Sequence, residues 1–268
     1  MKYDGFIFDI DGVLLDTSRS FNSAIVEAVA FATNSNRFTF EEIALLKSIR
    51  GFNNDWHVAV AGAGWVQYNP AVAFESFVQE LDRLGGGLAA VKQVIPELTE
   101  DFERYLTRLA QEAYGGTTAC RKLYGFDPEF IKGRGWWQTE KPTITSVQME
   151  PILEKTGIVT GRNEAETNLA FDLLGWQLPY EVVAYSDDPS LDKPNPTKLK
   201  RIIDNLGCKH PVYVGDGRDD LELVKNYRNA TQRFLDFCLI RSNNNIQEYN
   251  LIVESISDLF EDQGTGYG

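Results

Sequence analysis

Four short segments of the sequence contain polar side chains whose types and order suggest shared chemistry. The first segment holds two aspartates behind a short apolar run, and the others hold a hydroxyl, an ammonium group and two more acids. These residues are Asp9, Asp11, Thr160, Lys193, Asp216 and Asp220. Carboxylates bind hard divalent cations, and a cation together with ammonium and hydroxyl groups can hold a phosphoryl group. The set therefore indicates phosphoryl transfer at a metal site.

Each member of the set has a chemical role that its residue type can fill. Asp9 could attack phosphorus and form an aspartyl-phosphate, which divides one difficult displacement into two easier ones. Alternation along an ideal strand would put Asp11 on the same side as Asp9, unless the end of the strand is already turning, and Asp11 could then protonate the leaving oxygen and later deprotonate the attacking water. Asp9 and Asp216 suit Mg²⁺, which offsets the repulsion between an anionic nucleophile and an anionic substrate. Thr160 and Lys193 would orient the phosphoryl oxygens.

The elements that must position these residues alternate between strands and helices. Six short apolar runs predict strands, at residues 6–10, 157–160, 181–185, 211–214, 237–240 and 251–253. Helical spacing follows the second, third and fourth runs, with Gly175 ending one helix and Pro196 beginning another. This order predicts an α/β fold with a doubly wound parallel sheet, in which ligands bind beyond the carboxyl ends of the strands.

The stretch between the first and second predicted strands is mainly helical. Apolar residues recur there at spacings of three and four, Thr39 with Glu42 forms a potential capping box, and Thr99 can cap a further helix. Because the first strand belongs to the sheet, this stretch is an insertion. We therefore predict a core domain of residues 1–17 and 149–268 and an inserted helical domain of residues 18–148.

Composition excludes several classes of protein. The chain has 268 residues, 43% of them hydrophobic, which is typical of an ordinary globular protein. Its formal net charge of −13 makes nucleic acid or an anionic membrane surface an unfavourable partner. Three scattered cysteines and two histidines exclude a disulfide framework and a zinc site of the usual kinds. The sequence contains no signal peptide or membrane span, so we expect a cytoplasmic location.

The four segments together resemble the motifs of the haloacid dehalogenase-like superfamily, in its phosphatase branch with a type-1 helical cap, which is similar to phosphoglycolate phosphatases. The matching stretches, in the expected order, are FDIDGVLLDT at 8–17, VTGR at 159–162, KPNP at 193–196 and VGDGRDD at 214–220. The resemblance covers roughly residues 1–17 and 149–260. The helical insertion lies directly after the first motif, where the family has its type-1 cap.

The resemblance implies a role for each acidic residue. Asp9 corresponds to the nucleophile and Asp11 to the general acid and base. The metal would be bound by Asp9, the main-chain carbonyl of Asp11 and Asp216, with Asp220 as a further ligand or a neighbour of the ligands. An acid at position 11 favours phosphate-ester hydrolysis, because the dehalogenases of the family lack one there. Two features depart from the family: Gly217 stands where Ser or Thr is frequent, and the insertion is unusually long for this cap type.

Two assignments have alternatives. Asp219 could replace Asp220 near the metal, or it could cap the following helix. Gly161 and Arg162 are predicted to bind substrate, although Arg162 could equally form a surface ion pair with one of two nearby glutamates, Glu164 and Glu166. Within the predicted cap, residues 50–56 and 132–141 could face a substrate, but a helix connection and a packed hairpin are the simpler interpretations.

The sequence thus predicts a Mg²⁺-dependent phosphatase that hydrolyses a small phosphorylated metabolite through an aspartyl-phosphate. A large cap favours a substrate small enough to be enclosed and shielded from water. A phosphomutase with the same core residues is one alternative, and a non-catalytic binding protein is another. Acids at both 9 and 11 disfavour the binding protein, because closely spaced like charges destabilise each other without serving a scaffold.

Overall fold

The computed structural model of the protein describes residues 2–240 and 246–261. The chain forms two compact units, one of Met1–Thr17 with Lys141–Gly268 and the other of Ser18–Glu140. We call them the α/β unit and the helical unit. None of the described helices is both long enough and apolar enough to cross a membrane.

Among the described residues, the α/β unit has eight strands, of which all but the second and third follow the predicted runs. They are β1 (Gly5–Phe8), β2 (Leu15–Asp16), β3 (Lys141–Pro142), β4 (Thr156–Val159), β5 (Val183–Ala184), β6 (Pro211–Gly215), β7 (Asp236–Ile240) and β8 (Leu251–Val253). Within the described residues, six of them form one parallel sheet in the order β5-β4-β1-β6-β7-β8. The helices of this unit are α7 (Ser146–Met149), α8 (Glu164–Leu174), α9 (Thr197–Leu206), α10 (Arg218–Thr231) and α11 (Ile256–Glu261). The predicted doubly wound α/β fold is confirmed.

Both faces of the sheet are covered, as expected for parallel strands. Along β1, the side chains of Phe6 and Phe8 enter a core that also contains residues of α8 and α11, whereas Ile7 enters a second core with residues of α9 and α10. All four residues of β1 are buried. The strand therefore lies at the centre of the unit, with β4 on one side and β6 on the other.

A short antiparallel pair shifts the second boundary of the insertion. Leu15 pairs with Pro142, and Asp16 pairs with Lys141, which joins β2 to β3. Residues 141–148, which the sequence analysis placed in the helical domain, therefore belong to the α/β unit. The first boundary lies after Thr17, as predicted. The sequence pattern misplaced the second one because two-residue strands carry no periodicity of their own.

The helical unit is built from amphipathic and buried helices. They are α1 (Ser20–Thr33), α2 (Phe40–Lys47), α3 (Asp55–Tyr68), α4 (Phe74–Arg83), α5 (Gly87–Val94) and α6 (Glu100–Tyr124). Thr39 and Glu42 form the predicted capping box of α2, and Thr99 caps α6. The chain bends within α6 at Gly116, where φ is +56° and a Cβ would overlap the backbone of Arg134. Residues 48–54 connect α2 to α3, and residues 136–139 form a 3₁₀ turn.

One buried carboxylate organises the end of the helical unit. Glu112 on α6 is fully buried and accepts a hydrogen bond from Arg108 Nε at 2.6 Å. It also accepts the backbone N–H groups of Glu129, Phe130 and Ile131 at 2.8–2.9 Å. Burial alone would raise the pKa of Glu112, but Arg108 and the three N–H groups together lower it below its usual value. Glu112 is a charged anchor for the loop after α6.

Candidate active site

The centre of the sheet places two of the predicted acids side by side. The chain leaves β1 toward β4 and later returns to the opposite side at β6, so the direction of winding reverses between β1 and β6. Asp9 directly follows β1, and Asp216 directly follows β6. The Asp9 N–H donates to the carbonyl of Val214 at 3.0 Å, which extends the pairing one residue beyond β1. Such a reversal leaves a crevice at the carboxyl ends of the strands, where ligands bind in open α/β sheets.

A tight turn, rather than strand alternation, positions Asp11. β1 ends at Phe8, and the carbonyl of Ile10 accepts N–H groups from three residues of the turn at 2.9–3.3 Å. Gly12 has φ of +71°, and a Cβ there would overlap the carboxylate of Asp216. Of the two alternatives that the sequence left open, alternation and a turn, the structure has the turn, because the chain has already left the strand at Asp11. The turn needs glycine at position 12 both for its backbone angle and for the close approach of Asp216.

Three carboxylates converge at this crevice. Asp9, Asp216 and Asp220 each offer an oxygen atom, and these atoms lie within 4.8 Å of one another. Asp9 is only 6% exposed and Asp220 only 2% exposed. Buried, clustered carboxylate oxygens are the donor set that suits Mg²⁺, and like charges this close need a cation to offset their repulsion. The residues therefore fit the metal that the sequence predicts, and Asp220 rather than Asp219 is the member of the cluster.

A buried lysine lies between two of the three acids. The Nζ atom of Lys193 is 2.8 Å from Asp9 Oδ2 and 2.9 Å from Asp220 Oδ1. Burial acts to lower the pKa of Lys193, but Asp220 and Asp9 outweigh it and raise this pKa well above the usual value. Burial raises the pKa of Asp9, Asp220 and Asp11 raise it further, and Lys193 opposes them. One ammonium group thus compensates only part of the negative charge of the cluster.

Asp220 is held by donors that the sequence analysis did not identify. The hydroxyl of Tyr213, on β6, donates to Asp220 Oδ1 at 2.8 Å. The backbone N–H groups of Asp216 and Gly217 donate to Asp220 Oδ2 at 3.2 and 3.1 Å. Gly217 is the N-cap residue of α10 and has no side chain that could cap the helix. The carboxylate of Asp220, in the first turn of α10, accepts the backbone N–H of Gly217 instead. Tyr213 lies within an apolar strand, and a buried tyrosine hydroxyl usually has a hydrogen-bond partner. This was the one feature of the sequence that could have indicated a polar group nearby.

The second motif places an arginine beside Asp11 and a hydroxyl beside the backbone of that arginine. The Thr160 N–H donates to the carbonyl of Ala184 at 2.9 Å, and Thr160 Oγ1 accepts the N–H of Arg162 at 3.2 Å. The guanidinium of Arg162 donates to Asp11 Oδ1 through Nε at 3.0 Å and through Nη2 at 2.6 Å. Arg162 is only 2% exposed, so it is buried rather than at the surface, and its Nη1 also donates to the carbonyl of Glu166 at 3.4 Å. Gly161 is exposed, with open space around its Cα.

Comparison with known proteins identifies the family. A profile of haloacid dehalogenase-like hydrolases matches residues 3–226, which is most of the chain. The chain belongs to the haloacid dehalogenase-like hydrolase family. No curated protein matches this hydrolase by sequence. The four motifs on which its resemblance to the family rested all lie inside the matched range.

Solved structures share the fold of this hydrolase. Phosphatase Tt82 from Thermococcus thioreducens is similar to it with a TM-score of 0.66 and 22% identity, over 90% of this chain and 94% of that one. A predicted phosphoglycolate phosphatase from Haemophilus somnus has a TM-score of 0.60 and 13% identity, over 98% and 99% of the two chains. A hydrolase from Pseudomonas syringae has a TM-score of 0.56 and 15% identity, over 97% of each chain.

The α/β unit of the hydrolase brings most of the predicted site residues together. One group is the cluster of carboxylates that includes the partners of Lys193, and the other is the second motif, whose arginine pairs with Asp11. Asp9, Asp216 and Asp220 belong to the first group, and Thr160 and Arg162 to the second. Sequence reasoning had assigned Arg162 to the substrate, whereas its guanidinium lies against another predicted site residue.

Proposed function

We propose that this hydrolase is a Mg²⁺-dependent phosphatase that hydrolyses small phosphorylated metabolites through an aspartyl-phosphate on Asp9. The observation that carries the proposal is the cluster of three carboxylates, two of them buried, partly compensated by the ammonium of Lys193. Such a site attracts a divalent cation, and the cation in turn admits a phosphate dianion to a place that is otherwise negative. From its place in the chain after Thr17, we also propose that the helical unit is the cap domain.

Mg²⁺ would be held by carboxylate oxygens of Asp9 and Asp216, with Asp220 beside them and the main-chain carbonyl of Asp11 as a further ligand. When bound, the ion supplies positive charge that offsets the repulsion between the Asp9 carboxylate and the phosphate oxygens. Lys193 provides a second positive charge on the same side of the cluster. It would bind a phosphoryl oxygen while keeping Asp9 in place.

The proposed reaction proceeds in two displacements. An Asp9 oxygen forms a bond to phosphorus as the bond to the leaving oxygen breaks, and Asp11 gives its proton to that oxygen. Water then attacks the same phosphorus, Asp11 accepts a proton from it, and the bond to Asp9 breaks to release phosphate. Thr160 would donate its hydroxyl proton to a phosphoryl oxygen, since its own oxygen already accepts the N–H of Arg162.

The substrate class follows from charge and from the fold. The similar structures include a phosphatase and a predicted phosphoglycolate phosphatase, which supports a phosphate monoester as substrate. A formal net charge of −13 disfavours a polyanionic substrate such as a nucleic acid. The reactive group is therefore proposed to be the phosphate of a small metabolite.

The experiment measures phosphate release from a panel of phosphorylated metabolites, in Mg²⁺ and in EDTA. We expect release only with Mg²⁺, and we expect the Asp9→Asn variant to be inactive on every substrate that the parent hydrolyses. Asp204→Asn is the matched control, because Asp204 lies on α9 in the same unit and pairs with Lys200 at the surface. Its phosphate release should equal that of the parent.

Trapping tests the covalent step. Rapid acid quenching of the parent protein with substrate should leave phosphate bound to the Asp9 peptide, identified by mass spectrometry. Equal phosphate release by Asp9→Asn and the parent would exclude the nucleophile assignment. An isomerised substrate without free phosphate, together with a need for a bisphosphate primer, would identify a phosphomutase instead. A protein that turns over no member of the panel would contradict the proposed function.

A further inference from the structure

Arg162 connects three of the loops that carry the site. Its guanidinium donates two hydrogen bonds to Asp11, in the turn after β1. Its backbone N–H donates to Thr160 Oγ1, at the end of β4. Its carbonyl accepts the N–H of Ser186 at 2.7 Å, in the segment between β5 and Lys193. A change in the position of Arg162 would therefore disturb several groups of the site at once.

The burial of the two partners differs sharply. The side chain of Arg162 is 1% exposed, whereas the side chain of Asp11 is 32% exposed. The guanidinium thus lies behind the carboxylate, and Asp11 is the member of the pair that reaches a space open to solvent. A substrate phosphate could reach Asp11 without meeting Arg162. This geometry favours an action of Arg162 through Asp11 over direct contact with the substrate.

The hydrogen bonds leave one oxygen of Asp11 available. The Nε and Nη2 donors both go to Asp11 Oδ1, while Nη1 donates to the carbonyl of Glu166, so the arginine holds this one oxygen and limits rotation of the carboxylate about its Cβ–Cγ bond. Within the part of the chain that the structure describes, no hydrogen-bond donor is placed on Asp11 Oδ2. A carboxylate held by one oxygen presents the other in a single direction, which is what a proton donor in a displacement requires.

We propose that Arg162 is a positioning residue that holds Asp11 for proton transfer to the leaving oxygen of the substrate. The proposal rests on the proposed phosphatase function and adds a role for this arginine. The proton passes from Asp11 to the leaving oxygen as the bond between that oxygen and phosphorus breaks. Without Arg162 the carboxylate rotates, and the leaving oxygen departs without a proton. A lysine does not replace Arg162, because a flexible ammonium group lacks the rigid, planar set of donors that reaches Asp11 Oδ1 and the carbonyl of Glu166 at once.

The dependence on the leaving group provides the test. An alkyl phosphate releases a strongly basic oxygen and needs a proton, whereas 4-nitrophenyl phosphate releases a stable phenolate and needs little help. For Arg162→Met we expect kcat/KM with the alkyl phosphate to fall by about a hundredfold, the size of a general-acid contribution. We expect a much smaller loss with 4-nitrophenyl phosphate and an unchanged KM. Arg162→Lys should behave like Arg162→Met. Equal losses on both substrates, or a raised KM with unchanged kcat, would overturn the proposal.

A matched control separates positioning from general stability. Arg228 is a half-buried arginine of the α/β unit outside the site, and its Nε donates to the carbonyl of Leu235 at 2.7 Å. Arg228→Met should lower the melting temperature without changing the ratio of kcat/KM between the two substrates. A changed ratio in this control would show that the ratio reports lost stability, and the proposal would fail.

A double-mutant cycle tests whether Arg162 acts through Asp11. The variants are Asp11→Asn, Arg162→Met and their combination, assayed with the alkyl phosphate. If Arg162 only positions Asp11, then the double variant is no slower than Asp11→Asn alone. A further loss in the double variant, equal to that of Arg162→Met in the parent, would overturn the proposal.

The same four proteins distinguish failure of this proposal from failure of the proposed function. If the parent hydrolyses no phosphate ester, then the phosphatase function is wrong, and the cycle is repeated by thermal unfolding. Coupled residues should give a double variant that is less destabilised than the sum of the two single changes. Additive shifts of the melting temperature would show that Arg162 does not hold Asp11, whatever the reaction.

Discussion

The two units surround their buried carboxylates with opposite kinds of neighbours. In the helical unit, Glu112 is surrounded by donors: one arginine and three backbone N–H groups. In the α/β unit, Asp9, Asp216 and Asp220 crowd together, and the ammonium of Lys193 lies between Asp9 and Asp220. The pKa of Glu112 is lowered below its usual value, whereas the pKa of Asp9 is raised well above its own.

The difference separates a structural charge from a reactive one. A buried acid with a complete set of donors stabilises the folded chain in its ionised form. A buried acid among other acids destabilises it and gains from any cation or proton that arrives. Proteins tolerate that cost at sites that bind or react, where stability is traded for function. We therefore expect that removal of the Asp9 carboxylate abolishes activity and that removal of the Glu112 carboxylate lowers stability.

The largest effect is expected for Asp9→Asn, which removes the proposed nucleophile. We expect phosphate release to fall by about 10⁴-fold or more, as when an attacking group is deleted from other enzymes. Because the replacement relieves repulsion among three acids, the melting temperature in EDTA should not fall. Steady-state kinetics and thermal unfolding measure the two quantities. An active variant, or one that melts well below the parent in EDTA, would contradict the comparison.

Glu112→Gln should lower stability and leave phosphate release unchanged. The NH₂ group of the new amide would face Arg108 and the backbone N–H groups, which are themselves donors. We expect a loss of about 3 kcal/mol in the free energy of unfolding, from an unpaired buried Arg108 and unsatisfied N–H groups. Since the folded pKa is lowered, the stabilisation from Glu112 is complete above its unfolded pKa of about 4.3 and disappears as the pH falls through the folded pKa. Urea unfolding across the acid range should therefore show the two proteins converging.

The exposed acid Glu100 provides the control for Glu112. It lies on the same helix, α6, and its side chain is 84% exposed. Glu100→Gln should leave the free energy of unfolding nearly unchanged, as is usual for surface substitutions. If both replacements cost the same, then Glu112 is not the anchor that its donors indicate.

Tyr213→Phe tests the hydroxyl that holds Asp220. We expect Mg²⁺ affinity to fall by about tenfold, the usual effect of removing a group that orients a metal ligand. Calorimetric titration with Mg²⁺ measures the affinity directly, without any substrate. Tyr227→Phe is the control, since Tyr227 lies equally buried on α10 outside the cluster, and its Mg²⁺ affinity should equal that of the parent. An unchanged affinity in Tyr213→Phe would remove this hydroxyl from the metal site.

The smallest effect is a difference in thiol reactivity between the units. Burial raises the pKa of Cys120 in the helical unit to about 11 and that of Cys238 on β7 to about 12. At pH 8 the reactive thiolate is therefore roughly a hundredfold or more scarcer than in a free cysteine. We expect alkylation only through opening of the structure, and we expect Mg²⁺ to slow it at Cys238 but not at Cys120. Peptide mapping over time measures both rates, and equal slowing would mean that the units open together.

The features that could be predicted from the sequence are those that depend on residues close together in the chain or on the general geometry of parallel sheets. The box formed by Thr39 and Glu42 is local, and the apolar runs marked the strands because buried parallel strands are apolar on both faces. Asp9 and Asp216 could be brought together because parallel strands end at one edge of a sheet. The direction of Arg162 could not be predicted, since its partner Asp11 is remote in sequence and the choice depends on packing. The pairing of β2 with β3 was missed for the same reason.

The central place of β1 has a consequence for biosynthesis. β1 leaves the ribosome before its neighbours β4 and β6, and both of these are encoded after the whole helical unit. Until they emerge, the apolar residues of β1 have no partners in the sheet, and its backbone is exposed to wrong pairing. The helical unit, by contrast, is one continuous segment that can fold as soon as it is translated. The nascent chain thus acquires Asp9 early but completes the pocket around it only after residue 220.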